Sequence, residues 1–243
     1  MIMENNSFLL SLSLLNIEVK CRSDLIHNFC MDFLNDRDEN VDFSVEASQK
    51  EVAEEMEKYN VPHSEEYCES VCIYREIAER LPMHNRAVFH GAAVEADGAG
   101  YIFTAPSGVG KSTHIKLWQD CFGDRVNIIN GDKPIISVDD TEARVWGSPW
   151  AGKERWYNNC AAPLKAICIL KRGEQNKIHR VDPKECFDTL MSQIYFPKNG
   201  QAVLKTLDIA EKLASQVEFY VLECNISKEA AMLSFETRTG MKI

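Results

Sequence analysis

At 243 residues the chain has room for one large domain with a sizeable core, and its 45% hydrophobic and 26% charged residues are ordinary for a globular protein. A net charge of −10 argues against a general binder of nucleic acid or of anionic membranes, which needs a basic face, but leaves room for a local basic site. The nine cysteines are odd in number, scattered and without a C-x-x-C pair, so they indicate neither a zinc ribbon nor a thioredoxin motif; free thiols in a cytoplasmic setting fit them.

The apolar run over residues 8–15 has no basic residue before it and no small-residue cleavage site after it. It is too short to span a bilayer and reads as a strand. Residues 8–20 form one or two strands, with Asn16 as a break and Ile17 and Val19 alternating beyond it. Ser23 is a fitting N-cap for a helix reaching Leu34. A polar turn over residues 35–40 precedes a short alternating run, 41–45, and a charged helix over 48–58 follows. From 65 to 81, Val71, Tyr74, Ile77, Ala78 and Leu81 recur at steps of three and four, an amphipathic helix that Pro82 stops. Residues 1–82 are therefore expected to be an N-terminal α/β segment packed on the core, and 83–243 a nucleotide-binding domain.

Residues 87–95 read as a strand, Asp97-Gly98 as a hairpin turn, and 101–104 as the strand entering a glycine-rich loop. In ordinary doubly wound proteins that strand is fed by a crossover helix. A hairpin here predicts an α/β to α+β fold with mixed, partly antiparallel sheets. Strands are further expected over 126–129, 135–138, 143–146, 165–171 and 217–222, with helices over 184–194, 201–215 and 227–238.

The loop, A-P-S-G-V-G-K-S-T over 105–113, follows a strand and opens a helix, which is the order a phosphate cradle requires. Pro106, Ser107, Gly108, Val109, Gly110, Lys111, Ser112 and Thr113 are the candidate nucleotide-binding residues. The two glycines let backbone N–H groups face phosphate oxygens, Lys111 brings charge to the outer phosphates, and Ser112 can ligate Mg²⁺ beside bound ATP. The pattern departs from a Walker A motif at Ala105, where an alanine requires φ below zero. Asp132, at the end of the apolar strand 126–129, is the candidate second Mg²⁺ ligand or the general base, against the plain alternative of a turn residue in N-G-D.

His90 lies beside Gly91 on the strand before the loop, where a catalytic role and a packed core residue are equally open readings. Asp139 and Asp140 suit a solvated hairpin tip. Residues 147–156 combine glycines, Trp150, Trp156, Lys153 and Arg155. That composition suits a lid bringing Lys153 or Arg155 to transferring phosphate charge, or a surface loop whose tryptophans pack on the sheet.

Together, H-G-A-A-V, the hairpin turn, A-P-S-G-V-G-K-S-T and I-I-N-G-D-K resemble the catalytic core of the HPr serine kinase/phosphorylase family, over roughly residues 90–146. That family shares its nucleotide-binding fold with the phosphoenolpyruvate carboxykinases. The resemblance implies that residues 108–113 bind ATP phosphates, that Ser112 and Asp132 handle the metal, and that His90 lies beside the transferred phosphate. It implies a serine of a protein or peptide as acceptor, and an oligomer as a possible state. The family has glycine where this chain has Ala105, and a second acid where it has Gly131.

Three functions follow as alternatives. One is an ATP-dependent kinase with Asp132, His90, Lys111 and Lys153 at the reacting centre and an unknown protein or peptide acceptor. A nucleotide-binding regulatory module without catalysis is favoured by the two departures. A small-molecule kinase differs only in its acceptor. Neither nucleic acid nor membrane is an expected partner.

Overall fold

A computed structural model describes residues 6–35 and 40–240. The polar turn expected over 35–40 falls, apart from its two end residues, outside them. The chain begins with β1 (Asn6–Leu12), β2 (Leu15–Cys21), α1 (Asp24–Phe29), β3 (Phe43–Glu46), α2 (Gln49–Met56) and α3 (Glu65–Arg80). There follow β4 (Arg86–Val88), β5 (Ala92–Ala96), β6 (Ala99–Thr104), α4 (Lys111–Phe122), β7 (Val126–Asn130), β8 (Ile135–Val138) and β9 (Ala143–Trp146). The last part holds β10 (Ala161–Arg172), β11 (Lys177–Val181), α5 (Phe187–Gln193), α6 (Gly200–Gln216), β12 (Glu218–Cys224) and α7 (Lys228–Thr239).

The fold is mixed α/β with mixed sheets. β1, β2 and β3 make a three-stranded sheet, and the other nine strands make one large sheet. β5 and β6 form the expected antiparallel hairpin around a turn at Asp97 and Gly98, both with positive φ. β10 lies parallel to both β6 and β12, while its first three residues pair antiparallel with β9. The carboxyl ends of three parallel strands, at Thr104, Arg172 and Cys224, therefore share one edge of the sheet.

The middles of these central strands are continuously apolar because both of their faces are covered. Ile102, Ile167, Ile169, Phe219 and Val221 point to the side occupied by Leu190 of α5 and Ile209 and Leu213 of α6. Their alternates Tyr101, Phe103, Cys168, Leu170, Tyr220 and Leu222 meet Ile115 and Trp118 of α4 and Phe235 of α7. A third core joins β1, β2 and α3 to Val88 and Ile135 of the large sheet, so the N-terminal segment shares apolar packing with the rest.

Two sequence expectations change here. Residues 87–95 are not one strand. β4 pairs with β8, β5 pairs with β6 and β7, and Phe89, His90 and Gly91 form the break between them. At the break the backbone bonds elsewhere: His90 N–H donates to the Gln193 carbonyl at 2.7 Å and Gly91 N–H to the Asp132 carbonyl at 3.0 Å. A Cβ on Gly91 would stand 2.7 Å from Ile102 Cγ2, so a larger residue is excluded at this crossing. The second change is β11, which the sequence did not signal. It is an edge strand on β12 with mostly exposed residues. All nine cysteines are free. No helix of the described residues is long and apolar enough to cross a membrane.

Candidate functional site

Thr104 ends β6, and the chain turns through 105–110 into α4. Ala105 is buried and is not among the residues with positive φ, so the turn is entered without a left-handed residue. Gly108 and Gly110 have φ of 80° and 121°, a region closed to most side chains, and a Cβ built on either would meet nothing within 4 Å. The space beside both glycines is thus open, at the N-terminus of a twelve-residue helix, which favours an anion.

The residues assigned to the loop divide by exposure. Pro106, Ser107, Gly108 and Thr113 are exposed, Val109, Gly110 and Ser112 are half-buried, and Lys111 is buried. Lys111 Nζ donates to the Ala105 carbonyl at 3.0 Å. Desolvation pushes the Lys111 ammonium below its ordinary pKa, and the charge of Asp132 opposes that. Arg172, at the end of β10, donates from Nη2 to the Gly108 carbonyl at 2.6 Å and so ties the loop to the neighbouring strand.

Beyond the loop lies a cleft of about 520 Å³, lined on one side by Gly108, Thr113 and Leu117 and on the other by Leu170, Arg172 and Ile226. It sits outside the carboxyl ends of the parallel strands, the usual ligand position in sheets of this kind.

Asp132 forms the second part of the site. Its Oδ2 accepts from Lys133 Nζ at 2.7 Å and its Oδ1 is 3.4 Å from His90 Nε2. Burial raises its pKa, but the contacts with His90 and Lys133 outweigh burial and hold it at about 2. The turn carrying it is fixed by fully buried Asn130, whose Oδ1 accepts from the N–H groups of Asp132 and Lys133 at 2.8 and 2.7 Å. Asn130 Nδ2 in turn reaches Ser148 Oγ at 3.1 Å. His90 is steadied from below, because Thr104 Oγ1 donates to its carbonyl at 2.9 Å.

Gly131, where the resembled family has an acid, is hemmed in. Its N–H donates to the Trp156 carbonyl at 2.8 Å, and a Cβ there would lie 3.2 Å from the Ala151 carbonyl oxygen. The loop over 147–156 occupies that space. Trp150 packs against Phe29 and Tyr74 of the N-terminal segment, at ring separations of 6.2 and 4.9 Å. Ser148 is buried. Only residues 152–155, including Lys153 and Arg155, are exposed. The loop is thus anchored at its base and free only at its tip. Lys153 lies on that tip, in no ion pair with Asp132, although its neighbour Gly152 comes within 3.0 Å of Asp132 Cβ, measured from a built Cβ. Asp139 is a hairpin-tip residue whose Oδ1 accepts from Thr141 and Glu142 N–H groups.

The structure therefore brings together His90, Lys111 and Asp132 and adds Lys133, Arg172, Asn130 and Thr104, which the sequence had not singled out. Lys133 and Arg172 were visible as cations flanking Asp132 and the end of strand 165–171. Among the described residues no group of three or more His, Cys, Asp or Glu is placed to hold a metal. A Mg²⁺ held by Ser112 and Asp132 would complete its shell with phosphate oxygens, which is the pattern this ion favours.

No family model matches the chain, and no curated protein matches it. Among solved structures it is similar to the HPr(Ser) kinase/phosphatase from Coxiella burnetii. That match covers 53% of this chain and 97% of the other, at 13% identity and a TM-score of 0.31. The likeness is distant.

Proposed function

We propose that the chain binds ATP with Mg²⁺ at the loop over 105–113 and transfers the γ-phosphoryl group to a hydroxyl, with a serine of a protein or peptide as the acceptor. The observation that carries this reading is the pairing of an open glycine cradle, backed by buried Lys111, with an ionised Asp132 that acts electrostatically on that lysine. In this reading the loop is a P-loop within a carboxykinase-like, hairpin-fed domain, and the cleft beside Leu117 and Ile226 takes the nucleoside.

In the transfer, a bond forms between the acceptor oxygen and the γ-phosphorus, and the bond to the β–γ bridging oxygen breaks. The hydroxyl proton passes to a base of this chain, and ADP leaves. Bound Mg²⁺ supplies charge neutralisation at the phosphates. Lys111 would leave the Ala105 carbonyl for the outer phosphates, and Ser112 and Asp132 would hold the cation. An Asp132 held at about 2 by its contacts with His90 and Lys133 is a better cation ligand than a proton acceptor. His90, oriented through Nε2, then presents Nδ1 as the base.

Ala105 and Gly131, the two departures from the resembled family, support a second reading, in which nucleotide is bound without turnover. ATP consumption measured with and without serine-containing peptides separates the two. The proposal expects turnover that Lys111→Ala abolishes while circular dichroism stays unchanged; equal turnover in that variant contradicts it.

A further inference from the structure

Lys133 follows Asp132 in the turn between β7 and β8, and its backbone is held on both sides by buried side chains. Its N–H donates to Asn130 Oδ1 at 2.7 Å, and its carbonyl accepts from Ser148 Oγ at 2.6 Å. The carbonyls of its two neighbours, Asp132 and Pro134, accept from the N–H groups of Gly91 and Phe89, each at 3.0 Å. The turn cannot shift without breaking these bonds. What can move is the Lys133 side chain, which is half-buried and places Nζ 2.7 Å from Asp132 Oδ2.

The charges at this point do not balance. Asp132 acts on Lys111 as well as on Lys133, and the charge of Lys133 acts in turn on Lys111. Among the described residues neither lysine forms an ion pair with any other carboxylate: Lys111 Nζ reaches the Ala105 carbonyl, and Lys133 Nζ reaches Asp132. The other oxygen of Asp132 faces His90 Nε2 at 3.4 Å. Two ammonium groups against one carboxylate leave positive charge in excess, in a partly buried place where salt screens it less than at the surface.

Asp132 also has two claimants. A Mg²⁺ on this carboxylate, as in the kinase reading above, would repel the ammonium that already sits on its Oδ2. Lys133 must then find another anion. Resting on that reading, we propose that Lys133 is a second phosphate-binding lysine, which gives up Asp132 when nucleotide and cation arrive and donates to the terminal phosphoryl oxygens of ATP from the side opposite Lys111. Each ammonium then has an anion of its own. A flexible four-carbon stem ending in three N–H donors suits such an exchange of partners. ADP, which lacks the terminal group, gives Lys133 nothing to hold.

The test is calorimetric titration of ATP·Mg²⁺ and of ADP·Mg²⁺ into the wild-type chain, Lys133→Met and Lys133→Arg. The expected result for Lys133→Met is a loss of about tenfold in ATP affinity, the scale of one hydrogen bond between charged groups, with ADP affinity within about twofold of wild type. Lys133→Arg should keep most of the ATP affinity. A residue that only shaped the turn would move both nucleotides alike. Equal losses for ATP and ADP, or undiminished ATP affinity in Lys133→Met, overturn the proposal and leave the kinase reading in place. The expected pattern in a chain that shows no turnover keeps Lys133 as a phosphate ligand and removes the kinase reading alone; a wild-type chain that binds neither nucleotide overturns both.

Discussion

Asp132 Oδ1 stands 3.4 Å from His90 Nε2, and its other oxygen stands 2.7 Å from Lys133 Nζ. These contacts hold the carboxylate ionised at about 2 against the cost of its burial. Replacing it by asparagine removes the anion while keeping the shape. Asp132→Asn should lower turnover by about a hundredfold or more, the scale expected when a reacting centre loses such a group. Steady-state ATP consumption checks this. The folded pKa is depressed, so the carboxylate's contribution to stability is present above the unfolded value of 3.8 and is lost as pH falls towards 2.

Gly131 explains why a second acid is missing beside Asp132. Its Cβ position is crowded by the carbonyl oxygens of Ala151 and Trp156, at 3.2 and 3.4 Å. Gly131→Ala should therefore destabilise the fold by about 1–3 kcal/mol through displacement of the 147–156 loop. Gly131→Asp should do more harm and not improve turnover. Urea denaturation of the two variants, with midpoints compared at constant slope, gives the answer.

His114 is a buried histidine of α4 whose Nε2 meets Ser234 Oγ at 2.9 Å. Desolvation, helped by the charge of Arg238, lowers its pKa from 6.5 to about 3. The unfolded chain takes up this proton first, so the stability due to the neutral ring is complete above pH 6.5 and is lost as pH falls towards 3. The slope from this one group is about 1.4 kcal/mol per pH unit at most. Thermal midpoints recorded between pH 7 and 4.5 should fall less steeply for His114→Gln than for the wild-type chain.

Much of this was readable from residue patterns. Period-two and apolar runs gave most strands, and Gly108, Gly110 and Lys111 marked the loop because its backbone demands are local. What escaped was non-local. The break at His90 and Gly91 depends on Gln193 and Asp132, distant in sequence, and the place of Arg172 beside Gly108 depends on β10 lying parallel to β6. β11 escaped because an exposed edge strand needs no apolar alternation. The tryptophan loop had the composition of a lid, yet Trp150 is held by Phe29 and Tyr74, partners more than 70 residues away in sequence that no local pattern names.

The central claim is that the open cradle at Gly108 and Gly110 holds nucleotide phosphates. Calorimetric titration of ATP·Mg²⁺ into the wild-type chain and into Gly110→Val addresses it directly, since a β-branched residue is strained at φ of 121° and would shift the loop backbone that forms the cradle. Saturable one-site binding by the wild-type chain, weakened at least tenfold in the variant, is the predicted result. No heat of binding to the wild-type chain, or equal affinity in the two proteins, would contradict it.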